Sequence, residues 1–198
     1  MELRQAIRHR RMVRNFQSAP VAPDVLDRVL DAARRAPSAG FAQGIDLLAL
    51  EGSEQTARYW ELALPDATAR AAFRWQGLLD APVLVVVLTS PAAYGARYGE
   101  ADKVASGAAG PEEWTVPWWW VDAGMAAMLL LLAAVDEGLG ALLFATAHPG
   151  SVLAAFGVPD GHRAVATVAI GHPAPDEPGR SASRPRRPFD DVVHRGHW

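Results

Sequence analysis

Arginine carries most of the chemical potential in this sequence, because there is no cysteine to compete with it. The missing thiols exclude disulfide scaffolds, thiolate zinc sites, iron–sulfur clusters and cysteine nucleophiles together. Arg4, Arg8, Arg10, Arg11 and Arg14 face only Glu2 over residues 1–14, a local charge of +4. Arg180, Arg184, Arg186, Arg187 and Arg195 face Asp190 and Asp191 over residues 180–198, a local charge of +3. The residues between them are acidic, and the whole chain carries −3. Two basic ends on an acidic body fit solvated termini, a nucleic-acid grip, or two arms converging on one small anion. A pI near 6.1 argues against nucleic acid. Ile7, Val13, Phe16, Phe189, Val192 and Val193 punctuate both ends with apolar side chains that solvated tails do not need. Packed ends with arginines aimed inward are therefore expected.

Other chemistries find less support. His194 and His197 have a metal-compatible spacing, yet no third ligand is near, so no metal site is expected. Gly138-Leu139-Gly140 is followed by Ala-Leu-Leu, which fails the dinucleotide fingerprint. Walker, HExxH and GxSxG motifs are absent, and no catalytic side-chain dyad stands out.

The elements that must position these residues are those of one domain. A chain of 198 residues buries roughly 70% of its unfolded surface, enough for a real core. Periodicity predicts helices over about 2–10, 23–36, 54–62, 67–79, 121–137 and 151–156. Strands are expected at 45–50, 82–88, 141–144 and 164–170, with 82–88 (PVLVVVL) buried on both faces. Residues 90–120 show no clear period and read as a lid or substrate segment, and 180–198 as a C-terminal arm. The order of elements gives an α+β (or α/β) fold, a central sheet packed by helices. Between Asp122 and Asp136 lie 13 uncharged residues, short of the roughly 20 a membrane span needs. That helix is apolar all round, so a second copy of the chain is expected to cover it, and Asp122 reads most simply as its N-cap. The opening Met-Glu-Leu-Arg has no apolar leader, and a cytoplasmic protein is expected.

Arg10-Arg11-Met12-Val13-Arg14 near the start is followed by Ala36-Pro37-Ser38-Ala39-Gly40-Phe41-Ala42-Gln43. Gly138-Leu139-Gly140, Gly171-His172-Pro173 and Arg184-Pro185-Arg186-Arg187-Pro188 come later. This series resembles the FMN-dependent nitroreductase family, in order and along nearly the whole chain. The resemblance implies an α+β nitroreductase fold and an intertwined homodimer, with two FMN sites each built from both chains. It places Arg10, Arg184 and Arg186, with Arg11 and Met12 nearby, at the FMN phosphate, and Arg14 beside the flavin pyrimidine ring. Pro37, Ser38, Ala39 and Gln43 match the loop bordering the ring and ribityl chain. Ala145 and Thr146 match the loop whose backbone faces flavin N5. Met12 replaces the family's usual Ser, Phe41 and Gly44 replace a frequent Asn and Pro, and Gly77 stands where a Lys is common.

The implied activity is transfer of electrons from NADH or NADPH through the flavin to a small conjugated acceptor such as a nitroaromatic or quinone. No catalytic side chain is required of the protein, because the cofactor holds the chemistry. Phe41, Tyr94, Tyr98, Trp114 and Trp118 are the expected substrate pocket, since such rings stack on flat acceptors; packing of a dimer interface is the other reading of the tryptophans. A flavin-dependent oxidase or dehydrogenase of a specific metabolite, and a flavin-binding module without turnover, are the alternatives. Neither nucleic acid nor membrane is an expected partner.

Overall fold

A computed structural model describes every residue except 176, 178 and 180–182, so Arg180, counted in the basic C-terminal arm, lies outside the described residues. Four strands form one antiparallel sheet: β1 (Ile45–Glu51), β2 (Val83–Thr89), β3 (Gly140–Phe144) and β4 (Arg163–Gly171), in the spatial order β1-β2-β4-β3. All seven residues of β2 are buried, as its unbroken apolar run requires. Alternate side chains point to opposite faces of a strand. Val83, Val85 and Val87 join one core with α2 (Pro23–Arg34) and α8 (Trp118–Asp136); Leu84, Val86 and Leu88 join another with α3 (Gly52–Ala63) and α9 (Pro149–Ala155). The sheet is thus sandwiched between two helical layers, an α+β arrangement as expected.

Helix α2 presents Leu26, Val29 and Ala33 to the core, and Arg28 ties it to the end of α8 through Glu137 at 2.8 Å. Helix α8 is long and apolar enough to cross a membrane by length and composition alone. Here it packs on α2 and the sheet, burying Ala123, Ala126, Ala127, Leu130, Leu131 and Ala134. Its remaining face, including Val121 and Met128, is exposed in the single chain.

Three details differ from the sequence expectations. The segment 67–79 is two short helices, α4 (Ala67–Ala71) and α5 (Gln76–Leu79), not one. Asp66 caps the first by accepting the Thr68 and Ala69 N–H groups, and the Gln76 amide donates to the carbonyls of Arg70, Ala71 and Phe73. That stop turns Phe73 and Trp75 out of any helix. Residues 90–120 are mostly helical, with α6 (Pro91–Tyr98), α7 (Ala101–Ala105) and a 3-10 turn at Pro111–Glu113. Helix α8 begins at Trp118, with Pro117 before it, so Asp122 lies inside the helix and is not its N-cap.

Candidate functional site

The short helix α1 (Leu3–His9) delivers the N-terminal arginines to one end of the sheet. Beyond it the chain runs beside β3 and the end of β4: Met12 bridges Ala141, Val13 N–H donates to the Ala141 carbonyl at 3.0 Å, and Phe16 bridges Pro173. Val13 and Phe16 are buried there, whereas Ile7 is exposed, so the N-terminal end is packed as expected only beyond the first helix.

Arg14 projects from this segment into a cavity of about 360 Å³. Tyr59, Trp60, Phe73, Trp75, Phe144 and Ala145 line it. Trp60 stacks on Phe144 at 5.5 Å between centroids. The Arg14 guanidinium donates to the Met12 carbonyl at 3.1 Å and lies 5.4 Å from the centre of the Trp75 ring. Arg74 covers the same ring at 4.4 Å. The result is a mostly apolar cleft, with aromatic and aliphatic walls and the Arg14 guanidinium at its rim, suited to a flat ring that gains negative charge.

Arg10 is half-buried, and its Nη1 is fully buried with no hydrogen-bond partner among the described residues. A buried charged donor left unpaired costs more than the ~1–3 kcal/mol of a neutral one. Such an atom fits an anion, and the N-terminal arginine motif is where the phosphate of FMN is expected. The residues present therefore fit that group at this end.

The C-terminal arm behaves differently from expectation. Arg184 and Arg186 are exposed, and neither forms a hydrogen bond or ion pair among the described residues. Phe189, Val192 and Val193 are exposed as well. The arginines of the arm are not aimed inward in the single chain, because its apolar residues find no partner on the chain's own surface. Arg11 is also exposed.

The loop after α2 contains Pro37, Ser38, Ala39 and Gln43. The Ser38 hydroxyl accepts the Gln43 N–H at 2.9 Å. Ser38 and Gln43 line a second cavity, about 520 Å³, with Leu30, Ile45, Leu47 and Asp31. It shares no lining residue with the Arg14 cavity. The structure thus brings Arg14 and Ala145 together but does not bring the Ser38 loop to them within one chain.

Thr146, in the loop after β3, has its hydroxyl 2.9 Å from that of Thr167, which is 2.8 Å from the buried Tyr59 hydroxyl. Burial pushes the Tyr59 phenol up to about 12. This chain of three hydroxyls pins the 145–148 loop to the core.

The five aromatic residues expected to line a substrate pocket do not do so together. Tyr94 is fully buried and donates to Asp122 at 2.8 Å. It belongs to a cluster with Tyr98, Trp114 and Trp119, whose centroids lie 5.0–6.1 Å apart in the contacts formed. Phe41 and Trp118 are outside that cluster and are 70% and 44% exposed. The packed rings hold the loop and helix elements around them, which withdraws Tyr94 from any pocket.

Sequence reasoning missed Trp60, Phe73 and Trp75 as cavity walls. The aromatic residues at 73 and 75, beside Arg74, were the available signal, hidden by reading 67–79 as one helix. The departure at Gly77 has a packing cause. A Cβ there would sit 1.4 Å from the Asn15 side-chain oxygen, and the Gly77 carbonyl accepts the Phe16 N–H at 3.0 Å. No side chain, lysine included, fits there while Asn15 stays in place. No His, Asp or Glu group suited to a metal ion occurs among the described residues.

Comparison with known proteins gives one consistent result. The sequence model of the nitroreductase family matches residues 7–172, so the close at Arg184–Pro188 lies beyond the matched span. A Methanothermobacter thermautotrophicus protein, provisionally named an NADH dehydrogenase/NAD(P)H nitroreductase, is 25% identical over all of this chain and 88% of its own length. Among solved structures, a nitroreductase family protein from Clostridium difficile 630 matches with TM-score 0.73 at 20% identity, covering 100% of both chains. The hypothetical oxidoreductase YcnD from Bacillus subtilis matches with TM-score 0.75 at 25% identity, covering 100% of this chain and 75% of its own. Sequence motifs, fold and the span of the family match agree: the chain belongs to the nitroreductase family.

Proposed function

We propose that the chain is an FMN-dependent oxidoreductase that works as a homodimer in the cytoplasm. The observation that carries this reading is the unpartnered, buried Nη1 of Arg10, at the position where the family resemblance expects phosphate. When bound, FMN would supply the redox chemistry that links NADH or NADPH to a small conjugated acceptor such as a nitroaromatic or quinone. Arg10 would hold the phosphate, and Arg11, Arg184 and Arg186, exposed in the single chain, would join it once a second copy covers the arm. Arg14 places positive charge on the rim of the aromatic cleft, favouring added electron density there. Trp60, Phe73, Trp75 and Phe144 exclude water from it. Thr146, fixed by Thr167, orients the backbone of the 145–147 loop toward the same cleft.

Two features support a dimer with sites built from both chains. The Ser38 and Gln43 cavity and the Arg14 cavity are separate within one chain. The outer face of α8 and the arm residues Phe189, Val192 and Val193 expose apolar surface that a second copy would cover.

The test is an absorbance spectrum of purified protein before and after anaerobic NADH or NADPH. Flavin bands that bleach support the proposal. Bands that persist favour an oxidase with another reductant or an inert flavin carrier, and no bands after adding FMN overturn it.

A further inference from the structure

Helix α8 contains one charged residue in its apolar interior, Asp122, only 1% exposed. A carboxylate persists at such a depth only when donors replace water. Its Oδ2 takes two, both at 2.8 Å: the Ala39 backbone N–H and the Tyr94 hydroxyl. One donor comes from the 38–44 loop and the other from α6, so this buried charge joins three separate elements at one atom.

The loop it grips does not hold its shape by local preference. Gly40, Phe41 and Gln43 have φ of +62°, +57° and +51°, and for Phe and Gln that left-handed region is disfavoured. Several contacts outside the loop oppose its relaxation. Arg97 donates to the Gly40 carbonyl at 2.9 Å and is itself forked onto Asp102, with both bonds at 2.7 Å. Thr89 and Ser90 donate to the Gly44 carbonyl. Gly44 has no room for a side chain, because a Cβ would lie 2.5 Å from the Tyr94 ring. Tyr94 therefore supports the end of the loop with its ring and seats Asp122 with its hydroxyl.

We propose that Asp122 is a positioning residue for the flavin: seated by Tyr94, its carboxylate holds the loop so that Ser38 and Gln43 meet the ring and ribityl chain. The inference rests on the proposed function, and adds a residue remote from the cofactor that sets its affinity. A loop that is ordered in only a fraction of molecules binds more weakly by that fraction. The loss must then be equal for any flavin that the loop borders, with or without a phosphate.

The experiment measures dissociation constants of FMN and riboflavin for the apoprotein, its Asp122→Asn and Tyr94→Phe variants, and Arg10→Ala. The expected result is a loss of about 10-fold or more in Asp122→Asn, by the same factor for FMN and riboflavin, with a smaller equal loss in Tyr94→Phe. Arg10→Ala weakens FMN and leaves riboflavin unchanged. Thermal midpoints, measured alongside, identify a variant that has failed to fold, and Tyr94→Phe then carries the test. Binding within twofold of the parent in the folded variants overturns the proposal, as does a loss confined to FMN. If the parent chain binds neither flavin, the proposed function fails. The brace is then judged by hydrogen exchange, and Ala39 and Gln43 amides equally protected in the parent and Tyr94→Phe overturn it.

Discussion

Replacing Arg10 by Met separates a residue kept for stability from one kept for an anion. The substitution retains most of the apolar stem and deletes the guanidinium, whose Nη1 is buried without a partner. In the apoprotein this atom is a penalty of about 1–3 kcal/mol or more. Deleting it should leave the thermal midpoint unchanged or raise it, by about 2–4 °C for each kcal/mol recovered in a chain of this size. With FMN present the sign reverses. A hydrogen bond to a charged group is worth about 1.5–3 kcal/mol, which converts to a loss of roughly 10- to 150-fold in affinity at 1.4 kcal/mol per decade. Calorimetry of the apoprotein gives the first quantity, and quenching of flavin fluorescence at fixed ionic strength gives the second. A midpoint that falls by several degrees while FMN binds as before would refute the reasoning, because Arg10 would then be a structural residue.

Three further outcomes are expected. Gly77→Lys, which restores the residue common in the family, should destabilise the chain, because the new Cβ collides with the Asn15 side chain; pairing it with Asn15→Ala should recover part of the midpoint. Arg97 holds the Asp102 carboxyl down to about 2, below its ordinary 3.8. A depressed carboxyl stabilises the fold above its unfolded value and loses that contribution as pH falls through the folded one. The midpoint difference between the parent and Asp102→Asn should therefore be full above about pH 4 and vanish toward pH 2. Met128→Arg places a charge on the exposed face of α8. Light scattering after gel filtration should show a monomer where the parent is a dimer, and a parent that elutes as a monomer would remove the proposed interface.

The strands and most helices were legible in the chain because their signals are local. The run Val83–Thr89 is apolar from Val83 to Leu88 and mostly β-branched, which marks a strand buried on both faces. Leu26, Val29 and Ala33 recur at helical spacing and form the buried face of α2. Helix boundaries failed where side chains far from the backbone pattern decide them. Gln76 ends α4 by reaching back to three carbonyls, a contact that no periodicity carries.

The site divides along the same line. Residue type and order alone mark Arg10 and Arg14 as anion-seeking groups, since a guanidinium keeps its charge in any fold. Tertiary structure decided what surrounds them: Trp60, Phe73, Trp75 and Phe144 come from distant segments to wall the Arg14 cleft. It also moved Tyr94 from a pocket into the core and turned Asp122 from a helix cap into a buried acceptor for Ala39 and Tyr94. A charge and a hydrophobic period are properties of the local chain, whereas burial and partnership depend on which segments the fold brings to the same place.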